Sequence, residues 1–243
     1  MSKGWTNVTP SGIEPSKLKS ISCAKFNNES KISIFGGWPP TNDDSYDYLW
    51  IFDTLKKTWS VSNSSFDIIG PRWGYSAVAL PDGVLYIGGV YSTLYMPMNA
   101  LPFYNTTSDS WIVVVLGHPP PREEFSAVLT SDGRIIIYGG MKETEVYSDL
   151  WVLYMSKVNA PLLWVNETER ISNPINLKLV EHTATLVDNY MLVAFGVIQD
   201  GNISHKRDPI ITNHTYSISS SIFLLDVSQQ DSYKWVTEFT PTK

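Results

Sequence analysis

Two adjacent glycines close the β-branched run RIIIYGG (Arg134–Gly140), and the same punctuation recurs along the chain. It stands at KISIFGG (Lys31–Gly37), at VLYIGG (Val84–Gly89) and, in worn form, at LVAFGV (Leu192–Val197). The leading glycines, 36, 88, 139 and 196, are spaced 52, 51 and 57 residues apart. A period near 50 signals a repeat architecture, in which each unit buries its apolar faces against its neighbours.

Each unit carries further markers in phase. Before the glycines comes a short run with a small hydroxyl residue followed by apolar ones: SISCAKF (Ser20–Phe26), YSAVAL (Tyr75–Leu80), FSAVLT (Phe125–Thr130) and HTATLV (His182–Val187). After them come YLWIFD (Tyr48–Asp53), ALPFY (Ala100–Tyr104), LWVLY (Leu150–Tyr154) and IFLLD (Ile222–Asp226), and then a tryptophan at 59, 111, 164 or 235. Four short apolar runs per unit, parted by turn residues and without helical periodicity, predict a four-stranded antiparallel sheet, its strands a to d running from inner to outer. An aromatic share of 13% suits such strands.

On these residues the chain resembles the kelch-repeat β-propellers, over about residues 5–240. The resemblance implies an all-β propeller with about four four-stranded blades, at approximately 20–62, 73–115, 123–168 and 180–240. In that reading Gly36, Gly37, Gly88, Gly89, Gly139, Gly140 and Gly196 end strand b where neighbouring backbones crowd, since glycine has no Cβ and tolerates positive φ. Trp50 and Trp151 on strand c, and Trp59, Trp111, Trp164 and Trp235 on strand d, fill the space between twisted sheets. The pattern departs from the family in two places. Leu101 takes the place of the strand-c tryptophan in the second unit, and Val197 that of the second glycine in the fourth. Arg72 and Arg122 match the family's Pro-x-Arg entry to strand a, which implies polar contacts between blades.

Trp5 precedes Ser22 by 17 residues, as Trp59 precedes Ser76. Residues 1–19 thus read as the outer strand of a preceding blade plus a linker. Residues 1–243 become one incomplete propeller, part of a six- or seven-bladed whole.

The chemistry on offer is sparse. The net charge of −6, without Lys/Arg clusters, argues against nucleic acid, and no window of about 20 apolar residues spans a bilayer. The single cysteine, Cys23, excludes an internal disulfide framework and reads as a buried, inert thiol. His118, His182, His205 and His214 lack metal-ligand spacing, and G-x-S-x-G, G-x-G-x-x-G and Walker patterns are absent. Glu123–Glu124, after a proline run, reads as an exposed, solvated pair rather than an acid–base couple. Galactose oxidase shares the propeller type, but this chain lacks a recognisable set of two His, two Tyr and a cross-linked Cys, so no copper site or other cofactor carries over.

The expected function is therefore a non-catalytic interaction module whose loop faces engage a protein, with a glycan as the second ligand class. An enzyme of galactose-oxidase-like or other propeller type is the alternative, and an intracellular kelch scaffold a further one. Seven N-x-S/T sequons, at Asn7, Asn28, Asn63, Asn105, Asn166, Asn202 and Asn213, exceed the two or three that chance gives for 14 Asn and 46 Ser plus Thr in 243 residues. All fall in predicted turns, rims or loops, which suits a secreted or membrane-anchored glycoprotein ectodomain, although MSKGWTNVTPSG lacks the apolar core of a signal peptide. A cytoplasmic location is the alternative. The long b–c loop of the fourth unit, with His205, Lys206, Arg207 and Asp208, is the candidate recognition loop.

Overall fold

The structure, a computed structural model, describes residues 7–28, 30–38, 48–64, 70–115, 118–155, 163–172, 175, 177–199 and 216–241. Trp5 and the candidate recognition residues His205, Lys206, Arg207 and Asp208 lie outside them, as do Asn202 and Asn213.

The chain folds as successive small antiparallel sheets. Unit I holds β1 (Cys23–Phe26), β2 (Lys31–Phe35), β3 (Leu49–Asp53) and β4 (Thr58–Val61), paired in that order. Unit II holds β5 (Ser76–Leu80) and β6 (Gly83–Ile87), a hairpin of β7 (Val90–Tyr91) and β8 (Leu94–Tyr95), then β9 (Ala100–Asn105) and β10 (Ser110–Val115). Unit III repeats this with β11 (Ser126–Leu129), β12 (Arg134–Tyr138), the hairpin β13 (Met141–Lys142) and β14 (Glu145–Val146), β15 (Leu150–Tyr154) and β16 (Leu163–Asn166). After β17 (Ile171–Ser172) and β18 (Leu179–Val180), unit IV holds β19 (Thr183–Val187), β20 (Tyr190–Ala194), β21 (Val197–Gln199), β22 (Tyr216–Ile218), β23 (Ile222–Asp226) and β24 (Tyr233–Val236). Its sheet gains β17 as a fifth strand, parallel to β24, while β18, β21 and β22 make a separate three-stranded sheet.

The units stand side by side. Inner strand β1 lies on β5, β5 on β11, and β11 on β19; among the described residues no comparable contact joins β19 to β1, so the four sheets form an open arc. Burial follows from this order. Every residue of β6 and β12 is buried, because units II and III have neighbours on both faces, as strands covered on two sides require. In units I and IV, strands β2 and β20 alternate between buried and half-buried residues.

Three seam cores result. Phe35, Tyr86 and Trp111 meet between units I and II with ring centroids 5.4–5.5 Å apart, in tilted and edge-on geometries. Leu85, Ile87, Leu101 and Phe103 pack with Ile135, Ile137 and Trp164 between II and III. Ile136, Tyr138 and Val152 meet Met191, Leu225 and Trp235 between III and IV. Trp50 is likewise buried, whereas Trp59 and Trp151 are half-buried, Trp59 beside Phe52 and Trp151 donating through Nε1 to Asp149 at 2.7 Å.

Backbone hydrogen bonds cross each seam where strand b ends. The second glycine of a doublet donates to the next unit: Gly37 to the carbonyl of Arg72 at 2.8 Å, Gly89 to that of Arg122 at 2.9 Å, and Gly140 to that of Leu179 at 2.9 Å. The first glycine lies beneath the same carbonyl. A Cβ on Gly36, Gly88 or Gly139 would fall 2.5, 2.7 and 2.7 Å from those oxygens, and all three have positive φ.

Two positions differ from the sequence-based alignment. Val197 pairs with Val180 as Met141 does with Glu123 and Val90 with Trp73, so Gly196 is the counterpart of the second glycines, and Phe195 stands in place of the first. Phe195 keeps the left-handed backbone, φ 62° against 62–67° for its three glycine counterparts. Among the described residues no unit packs on it, and it is 54% exposed, so it meets no such clash. On strand c, the register places Pro102 rather than Leu101 opposite the tryptophans: Leu101 aligns with Leu49 and Leu150, all three buried.

Candidate functional site at the inner strands

The strongest candidate is the polar cavity where the inner strands begin. Each unit enters strand a through a residue with positive φ: Ser20 (52°), Gly74 (64°), Glu124 (54°) and Glu181 (56°). These residues hydrogen-bond in sequence. The amide of Gly74 donates to the carbonyl of Ser20 at 2.9 Å, Glu124 to Gly74 at 2.8 Å, and Glu181 to Glu124 at 3.0 Å. This rail brings together four segments some 50 residues apart in the chain and encloses a cavity of about 650 Å³. Ser20, Ser22, Ser76, Ser126 and Thr183 line it together with Glu124 and Glu181. Among the described residues, no Lys or Arg lines it.

Side chains also cross the seams here. Tyr75 donates its hydroxyl to the carbonyl of Ser22 at 2.7 Å and accepts from the amide of Phe35 at 3.2 Å. His182 Nε2 and Ser126 Oγ are 2.8 Å apart. Phe125, between them in the series, has no polar atom, and Ser76 lines the cavity.

The Ser126–His182 contact has the spacing of a nucleophile and its base, but not the surroundings. Burial pushes the imidazole down to about 4, the Tyr138 backbone opposing only in part, and Nδ1 is buried without a hydrogen bond that would orient the ring. A histidine so depressed is a poor proton acceptor. The pair acts as a seam contact.

Three expectations change here. Cys23 is exposed and lines the cavity: β1 alternates, with Ala24 and Phe26 turned to unit II and Cys23 and Lys25 to the uncovered side. Glu123 and Glu124 are not a solvated pair. Glu123 is buried, accepting from Tyr95 at 3.2 Å, while Glu124 is half-buried on the cavity wall. The hydrogen bonds of the Arg122 side chain stay with its own unit, among the described residues, rather than bridging units. Arg72 donates to the carbonyl of Gly88 at 3.2 Å and Arg122 to that of Gly139 at 3.0 Å, each within its own unit; their backbone carbonyls make the crossing. Arg122 also forks onto Asp149 at 2.5 and 2.9 Å and lies over the Tyr147 ring.

The remaining candidates lie apart from the cavity. Asn7, Asn28, Asn63 and Asn166 are exposed, and Asn105 is half-buried, its Oδ1 accepting from the amides of Thr107 and Ser108. His118 is exposed. Among the described residues, no three His, Cys, Asp or Glu side chains gather as a metal site would require, and no helix is long and apolar enough to cross a membrane. A second, apolar cavity of about 510 Å³ opens at the other end of β5 and β11, against Leu85, Phe103, Ile112 and Met155.

No known family profile matches the chain. Among curated proteins, it is 28% identical over 153 residues to protein tag-53 of Caenorhabditis elegans, covering 56% of this chain and 11% of that one. It is 26% identical over 152 residues to Host cell factor 1 of Homo sapiens, covering 60% of this chain and 7% of the relative. With Tip elongation aberrant protein 1 of Schizosaccharomyces pombe it shares 26% over 129 residues, 49% of this chain and 11% of the relative. These relatives are kelch-repeat proteins. The chain thus matches only about a tenth of the length of each.

Proposed function

We propose that this chain is part of a kelch-type propeller that serves as a non-catalytic protein-binding module and meets its partner at the cavity end of the inner strands. The observation that carries this reading is the rail from Ser20 to Glu181, which converges equivalent segments of four units on one polar cavity. Similarity to kelch-repeat relatives supports the same reading. The test is site-specific photo-crosslinking in cells, with the crosslinker at cavity residue Thr183 or at Leu55, an exposed turn residue between β3 and β4. A discrete protein adduct from position 183 and none from position 55 supports the reading. Equal adducts at both positions, none at either, or stoichiometric copper with oxidase turnover in the purified protein overturns it.

A second element of the proposal is a place in the secretory pathway, as part of a glycoprotein ectodomain. Four of the five described sequon asparagines are exposed, which supports it. The complete gene, expressed in eukaryotic cells, should give a product whose gel mobility rises after enzymatic removal of N-glycans. Unchanged mobility would remove this element and favour an intracellular scaffold.

A further inference from the structure

We infer that the apolar cavity between units II and III is a binding site for an uncharged aromatic small molecule of one or two rings. The site is separate from the inner-strand cavity, and the inference does not depend on the protein-binding reading.

The cavity holds about 510 Å³, a size at which proteins commonly enclose small ligands. Leu80, Leu85, Phe103 and Val114 line it from unit II, and Leu129 and Met155 from unit III. Leu80, Val114, Leu129 and Met155 are only half-buried, although units II and III each have neighbours on both faces. Ile112, on the same wall, is 54% exposed. The seam thus leaves apolar surface in contact with water, and an apolar occupant would remove it.

The sequence shows why the space opens at this seam. In the seam between I and II, Ser62 is the counterpart of Val114: its amide bonds the carbonyl of Leu49, as Val114 pairs with Leu101. Ser62 donates its hydroxyl to Asp109 of unit II. In the seam between III and IV, Arg134 is the counterpart of Gly83, each opening strand b five residues before the first glycine. Arg134 donates to the carbonyls of Val227 at 2.7 Å and Gln229 at 2.9 Å in unit IV. Polar side chains therefore span the two flanking seams from these positions. Between II and III the same positions hold Val114 and Gly83. A Cβ on Gly83 would fall 2.1 Å from the carbonyl oxygen of Tyr104 and 2.5 Å from Cζ of Phe103, so no side chain can enter there and the Phe103 ring lies over the glycine.

The wall chemistry selects the ligand class. Thr130 is the buried polar residue of the wall, and its hydroxyl is engaged: Oγ1 accepts from the amide of Arg134 at 3.0 Å and is within hydrogen-bond reach of Asp132. Asp82 and Ser131 are exposed and served by water. A ligand rich in donors and acceptors would give up water without replacement, and an anionic one would meet Asp82. The ring of Phe103 and the thioether of Met155 both favour an aromatic partner, through ring–ring and sulfur–ring contact.

Indole is a suitable probe, and Met155 reports on its place. The purified 243-residue chain, carrying ¹³C-methyl methionine, is titrated with indole, and the resonance of Met155, one of six methionines, is assigned with Met155→Leu. Indole should shift the Met155 methyl saturably, with a Kd below about 1 mM. The same titration with myo-inositol, a ring of similar size covered in hydroxyls, should leave that methyl unmoved. Ile112→Asp sets a charge on the wall at an exposed position and should weaken indole binding about ten-fold or more. Leu55→Asp, at the exposed β3–β4 turn, should leave it unchanged. The inference is overturned if Met155 does not respond to saturation, if inositol moves it as indole does, or if Ile112→Asp binds indole like the parent chain. Crosslinking at Thr183 can succeed in each of those cases, so the protein-binding reading stands or falls separately.

Discussion

His182 Nε2 lies 2.8 Å from Ser126 Oγ, and this contact ties the residue just before inner strand β19 to the first residue of inner strand β11 across the seam between units III and IV. The equivalent aromatic position in unit II, Tyr75, reaches back to Ser22 in the same direction. Units II, III and IV carry a ring at this position, Tyr75, Phe125 and His182, and the ring's polar atom decides whether a side-chain hydrogen bond joins the backbone bonds across the seam. Because the units are otherwise alike, these small chemical differences can be read as independent local experiments on one geometry.

The histidine seam should make stability depend on pH. Burial holds His182 near 4, while in the unfolded chain it titrates near its ordinary value of about 6.5. The folded pKa is the lower one, so between these values the unfolded chain binds the extra proton, and stability falls as pH falls through that window. Above about pH 7 both states are neutral and the site contributes no pH dependence. Linkage gives a loss of about 2 kcal/mol between pH 7 and pH 5. Urea unfolding at the two pH values measures it. His182→Gln, which retains a partner for Ser126, should remove most of the difference; an equal loss in the variant would assign the effect to other groups.

The tyrosine seam gives a simpler expectation. Burial raises the pKa of Tyr75 far above the tyrosine norm, so the hydroxyl stays neutral, and it serves two backbone groups, the carbonyl of Ser22 and the amide of Phe35. Tyr75→Phe keeps the ring and strands both. The cost should be about 1–3 kcal/mol, without pH dependence between pH 5 and 8, as measured by urea midpoints. A change below about 0.5 kcal/mol would mean that water serves those groups equally well.

Arg122 is the most demanding charge in unit III. Its side chain is fully buried, and the Asp149 carboxylate that forks onto it is 20% exposed. Asp149 also accepts from Trp151 Nε1. Asp149→Ala leaves a buried cation and an indole N–H without their shared acceptor, and should cost about 3 kcal/mol. Asp149→Asn restores an acceptor but not the charge and should cost roughly half of that. The order of the two denaturation midpoints is the check, with Asn above Ala; equal losses would place the effect in packing.

Much of this fold was legible because the same steric demand recurs in each unit. Wherever a neighbouring carbonyl sits 2.5–2.7 Å from where a Cβ would be, glycine is required, and the sequence shows it at 36, 88 and 139. The fourth unit hides its register for the same reason: among the described residues no neighbour forbids a Cβ there, so Phe195 stands in place of the first glycine and the remaining Gly196 takes the second position. The facing of Cys23 depends on unit I having a neighbour on one side, which alternation within four residues does not encode. The cavity was not legible either. Ser20, Gly74, Glu124 and Glu181 share only a left-handed backbone, and nothing in their side chains marks them as equivalent. Glu123 and Glu124, adjacent in sequence, part company because the chain turns at φ 54° between them.

Phe195 and Gly139 offer opposite predictions from equivalent positions. Gly139 has φ 67°, and an added Cβ would lie 2.7 Å from the carbonyl oxygen of Leu179 and 2.9 Å from Cε1 of His182. Gly139→Ala meets both the left-handed penalty, about 1–2 kcal/mol, and a backbone clash that only a shift of unit IV relieves. A loss of at least about 3 kcal/mol in urea unfolding is expected, together with loss of the pH dependence assigned to His182, since the seam must open to admit the methyl. Phe195 already pays the left-handed penalty, and more than half of its surface is in water. Phe195→Gly therefore removes strain at little cost in burial, and should leave stability unchanged or raise it by about 1 kcal/mol. If Phe195→Gly instead destabilises by more than about 1 kcal/mol, the phenyl ring is packed in solution, and the outer face of unit IV is covered rather than open.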